Sequence, residues 1–97
     1  MIVNRRTFIA KRGRTRDLVA LMLAEQAHLN LPITFCVYSS NIAPFDQVVG
    51  EWEFENLAEY DKFWNDWFAM PGNADFMEKW YALTENGGSS QIWNLED

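Results

Sequence analysis

The sequence predicts an α+β fold in which one four-stranded antiparallel sheet carries its helices on a single face. Three observations predict it. Strand-like and helix-like segments follow one another in the order β-α-β-β-α-β, the middle two strands are joined by a short turn, and the length of 97 residues suits one compact unit. Hydrophobic residues make up 48% of the chain and charged residues 23%, which is enough apolar material for a core. We therefore expect a single domain over residues 1–97.

Four segments have the composition of β-strands, since β-branched and aromatic residues are frequent in them. The third segment alternates most clearly, because Val48, Trp52 and Phe54 share one face while glutamates occupy the other. Turn-forming residues separate it from the second segment, so these two strands form a hairpin. The predicted strands are residues 2–10, 33–40, 47–55 and 91–95.

Helical periodicity fills the two remaining stretches. The apolar stripe of the first helix is interrupted by Glu25, and the second helix is aromatic and broken in two. Capping residues and helix breakers set the expected ends. These are Thr15 and Leu29 for the first helix, Asn56 and Pro71-Gly72 for the first piece of the second helix, and Asn73 and Gly87-Gly88 for its second piece.

The order β-α-β-β-α-β is that of the ferredoxin-like fold, in which the first strand is central beside the third. That fold leaves one sheet face without helices, and a face left open to water should be polar at alternate positions. Both faces of the first strand are instead mixed, with Asn4, Arg6 and Phe8 on one and Arg5 with Ile9 on the other. We expect the open face to be covered by the sheet of a second copy, which makes the protein a homodimer.

Charge and cysteine content exclude several classes of protein. The net charge is −6, and all six basic residues of the N-terminal part precede Asp17; from Asp17 to the end, two lysines stand against fourteen carboxylates. Such an acidic body disfavours nucleic acid as a partner. One cysteine, Cys36, and one histidine, His28, provide neither a disulfide nor a zinc site. Apolar runs are too short to span a membrane, so we expect a cytoplasmic protein without metal, cofactor or membrane partner.

Three sequence stretches carry a resemblance to a known family. They are Lys11-Arg12-Gly13-Arg14, the hairpin entry Ala43-Pro44-Phe45-Asp46-Gln47-Val48-Val49, and Trp52-Glu53-Phe54-Glu55-Asn56-Leu57-Ala58-Glu59-Tyr60. The chain resembles the NIPSNAP-like branch of the dimeric α+β barrel superfamily. The resemblance implies two ferredoxin-like subunits that pair their sheets into one barrel. The same superfamily contains cofactor-free and haem-degrading monooxygenases, isomerases and stress proteins, so the fold by itself does not choose a function.

Haem degradation is not expected. Asn4 lies where haem-degrading relatives are similar in carrying an Asn, and Trp64 or Trp67 matches their helical Trp. The haem-ligating histidine that the resemblance would place on the second helix is missing, since His28 lies on the first.

Six residues are candidates for binding a ligand in a pocket between sheet and helices. Trp and Phe at regular spacing are usually packing residues, but five tryptophans in 97 residues exceed what a small core needs. The candidates are Asn4, Arg6, Trp52, Trp64, Trp67 and Trp93. We expect a protein that binds a small hydrophobic or aromatic molecule, or a protein partner. The alternative is a cofactor-independent monooxygenase or isomerase acting on an aromatic small molecule, with catalytic residues that the sequence does not identify.

Three further features have plainer interpretations. The basic turn at residues 11–16 runs into a helix N-terminus and is either an anion site or a solvated loop. The glutamates of the third strand are expected to form salt bridges with Arg5 and Arg6 or with the partner subunit. Cys36, in an apolar strand, is expected to lie in the core.

Overall fold

A computed structural model describes residues 1–96 and confirms the predicted fold class. Four strands form one antiparallel sheet in the order β2-β3-β1-β4, so β1 is central beside β3, as predicted. The second helix is two helices. The elements are β1 (Ile2–Ala10), α1 (Thr15–Leu29), β2 (Phe35–Ser39), β3 (Gln47–Phe54), α2 (Leu57–Phe68), α3 (Asn73–Leu83) and β4 (Thr84–Asn94).

The register of β1 decides which side chains face the helices. Asn4 is opposite Trp52 on β3 and Ile92 on β4, and Asn4 and Trp52 are both buried. Because side chains alternate along a strand, Arg6 and Phe8 lie on that same side. We call it the inner face, and the opposite side, which carries Val3, Arg5, Thr7 and Ile9, the outer face.

The core lies between the inner face and the helices. Its buried hydrophobic side chains stabilise the fold by about 1.5–3 kcal/mol each relative to exposure. Gly50 makes room for the largest of them, because a Cβ at that position would lie 2.6 Å from the ring of Trp52. The core cluster consists of Ala10, Leu18, Met22, Val48, Trp52, Phe54 and Leu83.

The helix ends are fixed by local hydrogen bonds, some of which differ from the prediction. Asn56 caps α2 as expected, since its side chain accepts a hydrogen bond of 3.0 Å from the backbone N–H of Glu59. Asn73 does not cap α3: the cap position is Gly72, with a φ of 85°. Thr15 is the first residue of α1 and its hydroxyl donates to Asp46 at 2.8 Å, which ties the helix to the hairpin turn.

The last strand is longer than predicted, because Gly87-Gly88 does not end a helix. Helix α3 ends at Leu83, and the chain is already extended at Thr84. The glycines instead form a bulge in β4, where the register shifts as the strand passes β1. Gly88 has a φ of 91°, and a Cβ there would lie 2.1 Å from the backbone oxygen of Thr7, so only glycine fits.

The outer face carries charge and exposed aromatic residues. Arg5 and Glu51 form the predicted ion pair at 2.7 Å. Tyr38 and Trp93 are 51% and 53% exposed. Cys36 is exposed rather than in the core, because its position in β2 places it opposite Glu51 on this face. Within residues 1–96, no helix has the length and apolar character needed to cross a bilayer.

Candidate ligand-binding site

Asn4 is the centre of a polar network at the middle of the inner face. Its side chain is completely buried, and its amide nitrogen donates to the hydroxyl of Ser90 at 3.2 Å and to the backbone oxygen of Gln91 at 3.0 Å. These two bonds to β4 fix the orientation of the amide. Its oxygen therefore points towards the helices, where it accepts from Trp64 Nε1 at 3.2 Å and from Arg6 Nε at 3.0 Å.

Arg6 lies two residues further along β1, on the same face. Its guanidinium carbon is 4.1 Å from the centroid of the Trp64 ring, a close cation–π contact. The side chain is thus held at Nε by Asn4 and across its plane by Trp64. The two terminal nitrogens make no hydrogen bond and no ion pair with the residues that the structure describes.

A continuous series of aromatic rings extends from the sheet through α2 to α3. Trp52 and Trp64 have ring centroids 5.2 Å apart, Trp64 and Trp67 are 5.9 Å apart, and Trp67 and Phe76 are 5.3 Å apart. Phe76 then stacks on Trp80 at 5.9 Å. Residues three and four apart on a helix share a face, which is how α2 and α3 direct these rings inwards. Most pairs are edge-to-face, the arrangement that aromatic rings prefer.

These rings line a cavity of about 130 Å³ between the inner face and all three helices, and the cavity is partly open to solvent. We call it the aromatic cavity. Its wall is almost entirely apolar, and two charged residues contribute to it, Arg6 from β1 and Glu25 from α1. The lining residues are Arg6, Phe8, Met22, Glu25, Leu29, Trp52, Phe63, Trp64, Trp67, Phe68, Phe76, Met77 and Trp80.

Five of the six predicted ligand-binding residues come together at this cavity. Arg6, Trp52, Trp64 and Trp67 line it, and Asn4 lies behind the wall and holds two of them. Trp93 is a correction. It pairs with Val3 and so points to the outer face, where its ring lies 5.9 Å from the guanidinium carbon of Arg5.

Sequence reasoning missed several lining residues, and three of them carried a signal. Phe76 and Trp80 were expected on one helical stripe but were treated as packing. Glu25 interrupts the apolar stripe of α1, four residues before Leu29 and three after Met22. A carboxylate at a position that helical spacing places on the apolar side marks a site where the core is open. The structure places all three beside the cavity.

The other sequence features do not contribute to this site. In the basic turn, Arg14 pairs with Asp17 at 2.6 Å, and Thr15 donates to the Asp46 carboxylate at 2.8 Å. His28 is exposed on α1. Residues 1–96 hold no cluster of His, Cys, Asp and Glu side chains suited to a metal ion.

Comparison with known proteins shows similarity in structure alone, since no family model and no curated protein matches the chain. An uncharacterised NIPSNAP domain protein from Burkholderia xenovorans superimposes with a TM-score of 0.85 at 13% identity, over 99% of this chain and 95% of the other. A NIPSNAP family protein from Agrobacterium tumefaciens gives 0.82 at 18% identity, over 99% and 93%. The chain has the fold of the NIPSNAP domain proteins. The resemblance found in the sequence is confirmed at the level of the fold.

The fold is also shared with a second group. A putative antibiotic biosynthesis monooxygenase from Nitrosomonas europaea superimposes with a TM-score of 0.73 at 10% identity, over 97% of each chain. At such identities the likeness establishes the ferredoxin-like fold and assigns no activity.

Proposed function

We propose that this protein binds a small aromatic molecule in the aromatic cavity. The observation that carries the proposal is a ring-lined, partly open space of about 130 Å³ with one cation held at its wall. Well-packed cores leave few voids larger than a water molecule. An apolar cavity of about 150 Å³ is known to hold benzene, so this space suits one six-membered ring with small substituents.

The arrangement of the wall supports a preformed site. Trp64 is fixed by its bond to Asn4 and by edge contacts with Trp52 and Trp67. Arg6 is fixed by Asn4 and Trp64. Side chains that are already ordered lose little conformational entropy when a ligand binds, which favours affinity. A few polar groups in a largely apolar pocket are typical of ligand sites.

The test is a titration of the isotope-labelled protein with toluene, followed by NMR of the tryptophan indole N–H groups. We expect shifts at Trp52, Trp64 and Trp67, with Trp93 on the outer face as the internal reference that does not move. Leu29→Trp should block the cavity that Leu29 lines. Leu23→Trp is the matched control, because Leu23 lies on the same helix and is exposed. Unchanged indole signals at saturating toluene would refute the proposal.

A second candidate function is a cofactor-independent monooxygenase acting on an aromatic molecule in the same cavity. It is favoured by the fold shared with the putative antibiotic biosynthesis monooxygenase and by Arg6, whose cation would stabilise a deprotonated, electron-rich substrate. Measurement of oxygen uptake with a set of small phenols distinguishes the two functions. Uptake that is lost in Arg6→Met indicates an oxygenase, whereas binding of a phenol without oxygen uptake supports the binding function alone.

We also propose that two copies associate through their outer faces. The half-buried side chains of Val3, Ile9 and Val49 lie on this face, and Tyr38 and Trp93 extend from it. Native mass spectrometry should report a dimer that Val49→Lys dissociates, while Leu23→Lys on the exposed surface of α1 leaves it intact. A monomer at micromolar concentration would refute the pairing.

A further inference from the structure

The terminal nitrogens of Arg6 are an unused set of donors at an apolar wall. The guanidinium offers five N–H groups in a planar fork, and the bond to Asn4 takes only the one on Nε. The remaining four make no hydrogen bond or ion pair with residues 1–96. Glu25, the other charged residue of the aromatic cavity, lies too far from Arg6 to form an ion pair with it.

The neighbouring residue Arg5 shows what an arginine of this strand does when a carboxylate is near. Its Nε donates to Glu51 at 2.7 Å on the outer face. Arg6 has only neutral partners, the amide of Asn4 and the ring of Trp64. Neutral partners orient the guanidinium but leave its charge uncompensated.

We infer that the ligand of the aromatic cavity is an aromatic monoanion, whose ring fills the cavity and whose carboxylate or phenolate oxygen binds the terminal nitrogens of Arg6. The inference rests on the proposed binding function and names its ligand class. An arginine fork and a carboxylate match in geometry, and the bonds between them are about twice as strong as neutral ones. Apolar surroundings strengthen the attraction further, because water screens it less.

Glu25 limits the ligand to a single negative charge. Glu25 lines the same cavity, so a second anionic group on the ring would be repelled by its negative charge. The volume of about 130 Å³ suits one six-membered ring inside the cavity. Benzoate combines both requirements, and benzamide is its neutral counterpart of nearly the same shape.

Asn4 acts here as a positioning residue. Its amide is fixed by Ser90 and Gln91 on β4, and it accepts both the Arg6 Nε–H and the Trp64 indole N–H. The fork and the ring it stacks on are therefore held in one relative orientation before the ligand arrives. This arrangement favours binding by lowering the entropy lost on association.

The test compares benzoate with benzamide in the full-length protein at one fixed ionic strength, with affinities read from the Trp64 indole signal. Fixed ionic strength is needed because the net charge of −6 repels anions at long range. We expect benzoate to bind about 10- to 100-fold more tightly, the equivalent of a charge-assisted hydrogen bond pair. Arg6→Met should remove this preference, because benzoate loses both a countercharge and its hydrogen-bond donors, whereas benzamide loses only neutral hydrogen bonds.

Arg5→Met is the matched control, because it removes the same side chain from the outer face and should leave both affinities unchanged. Equal binding of benzoate and benzamide to the wild type, or a preference that survives Arg6→Met, overturns the inference while the binding function stands. Binding of neither probe overturns both. Should Arg6→Met fail to fold, the wild-type comparison and Arg6→Lys, which keeps the charge without the fork and should lose at least part of the preference, decide the matter.

Discussion

The two faces of the sheet treat the same residue types differently. On the outer face, Arg5 pairs with Glu51 and Trp93 is 53% exposed. On the inner face, Arg6 is held by the amide of Asn4 and the ring of Trp64. One step along β1 thus changes an arginine from a surface ion-pair partner into a cation at an apolar wall. The difference is the one expected if the inner face holds the proposed binding site as well as the core.

The largest expected effect is on the free energy of unfolding, and it appears when a tryptophan of the inner face and one of the outer face are replaced in separate variants. Trp52 is 8% exposed and contacts Phe35 and Trp64 at ring distances of 4.7 and 5.2 Å. Trp52→Ala should lower the free energy of unfolding by about 3–5 kcal/mol, because it removes a large buried side chain and leaves a cavity. Trp93→Ala should lower it by less than about 1 kcal/mol. Denaturant unfolding followed by far-ultraviolet circular dichroism measures both.

The contrast should be measured at a protein concentration low enough to keep the chain monomeric. At higher concentration, a dimer formed through the outer face would add stability that Trp93→Ala removes. A loss for Trp93→Ala in the monomer as large as that for Trp52→Ala would contradict the distinction between the faces.

A smaller effect is expected from the buried amide. Asn4→Leu keeps the approximate volume but leaves the Trp64 indole N–H, the Arg6 Nε–H and the backbone oxygen of Gln91 without this partner. We expect a loss of about 1–3 kcal/mol, the usual cost of unpaired buried polar groups. Asn94→Leu, at an exposed position near the end of β4, should change stability by no more than about 0.5 kcal/mol.

The same variant has a local readout. If Asn4 holds Trp64, the indole N–H signal of Trp64 should shift and exchange faster with solvent in Asn4→Leu, while that of Trp93 stays in place. An unchanged Trp64 signal would show that the 3.2 Å bond does not order the ring.

The sequence predicted the order of elements, and five of its six candidate residues lie together at the aromatic cavity, because alternation and helical spacing report which side chains share a face. Whether these residues bind a ligand stays a prediction. Trp93 was grouped with the other candidates because it is a tryptophan, without knowledge of the strand register that places its side chain on the outer face. The register between β1 and β4 depends on the bulge at Gly87-Gly88, where Gly88 packs closely against the backbone of Thr7. A Gly-Gly pair is equally compatible with the end of a helix and with a β-bulge. Only the position of the neighbouring strand decides between these two structures. Dimerisation and a cytoplasmic location stay predictions.

The smallest effect concerns a single titration on the outer face. Glu51 raises the pKa of Tyr38, first by hydrogen bonding to its hydroxyl and second by the charge of its carboxylate, which disfavours the phenolate; Cys36 adds a weaker contribution. Glu51→Gln removes the negative charge, so the pKa of Tyr38 should fall towards its ordinary value of about 10. The sign follows because the phenolate is the charged form and its like-charged neighbour is gone.

The measurement is a pH titration of the ¹³Cζ signal of Tyr38 by NMR. Glu53→Gln is the matched control, because Glu53 lies on the same face of β3 and is not among the groups that raise this pKa. A Tyr38 pKa that does not respond to Glu51→Gln would contradict the outer-face geometry. Repeating the titration at high protein concentration sharpens the comparison of the faces, because a second copy covering the outer face would desolvate Tyr38 and raise its pKa further.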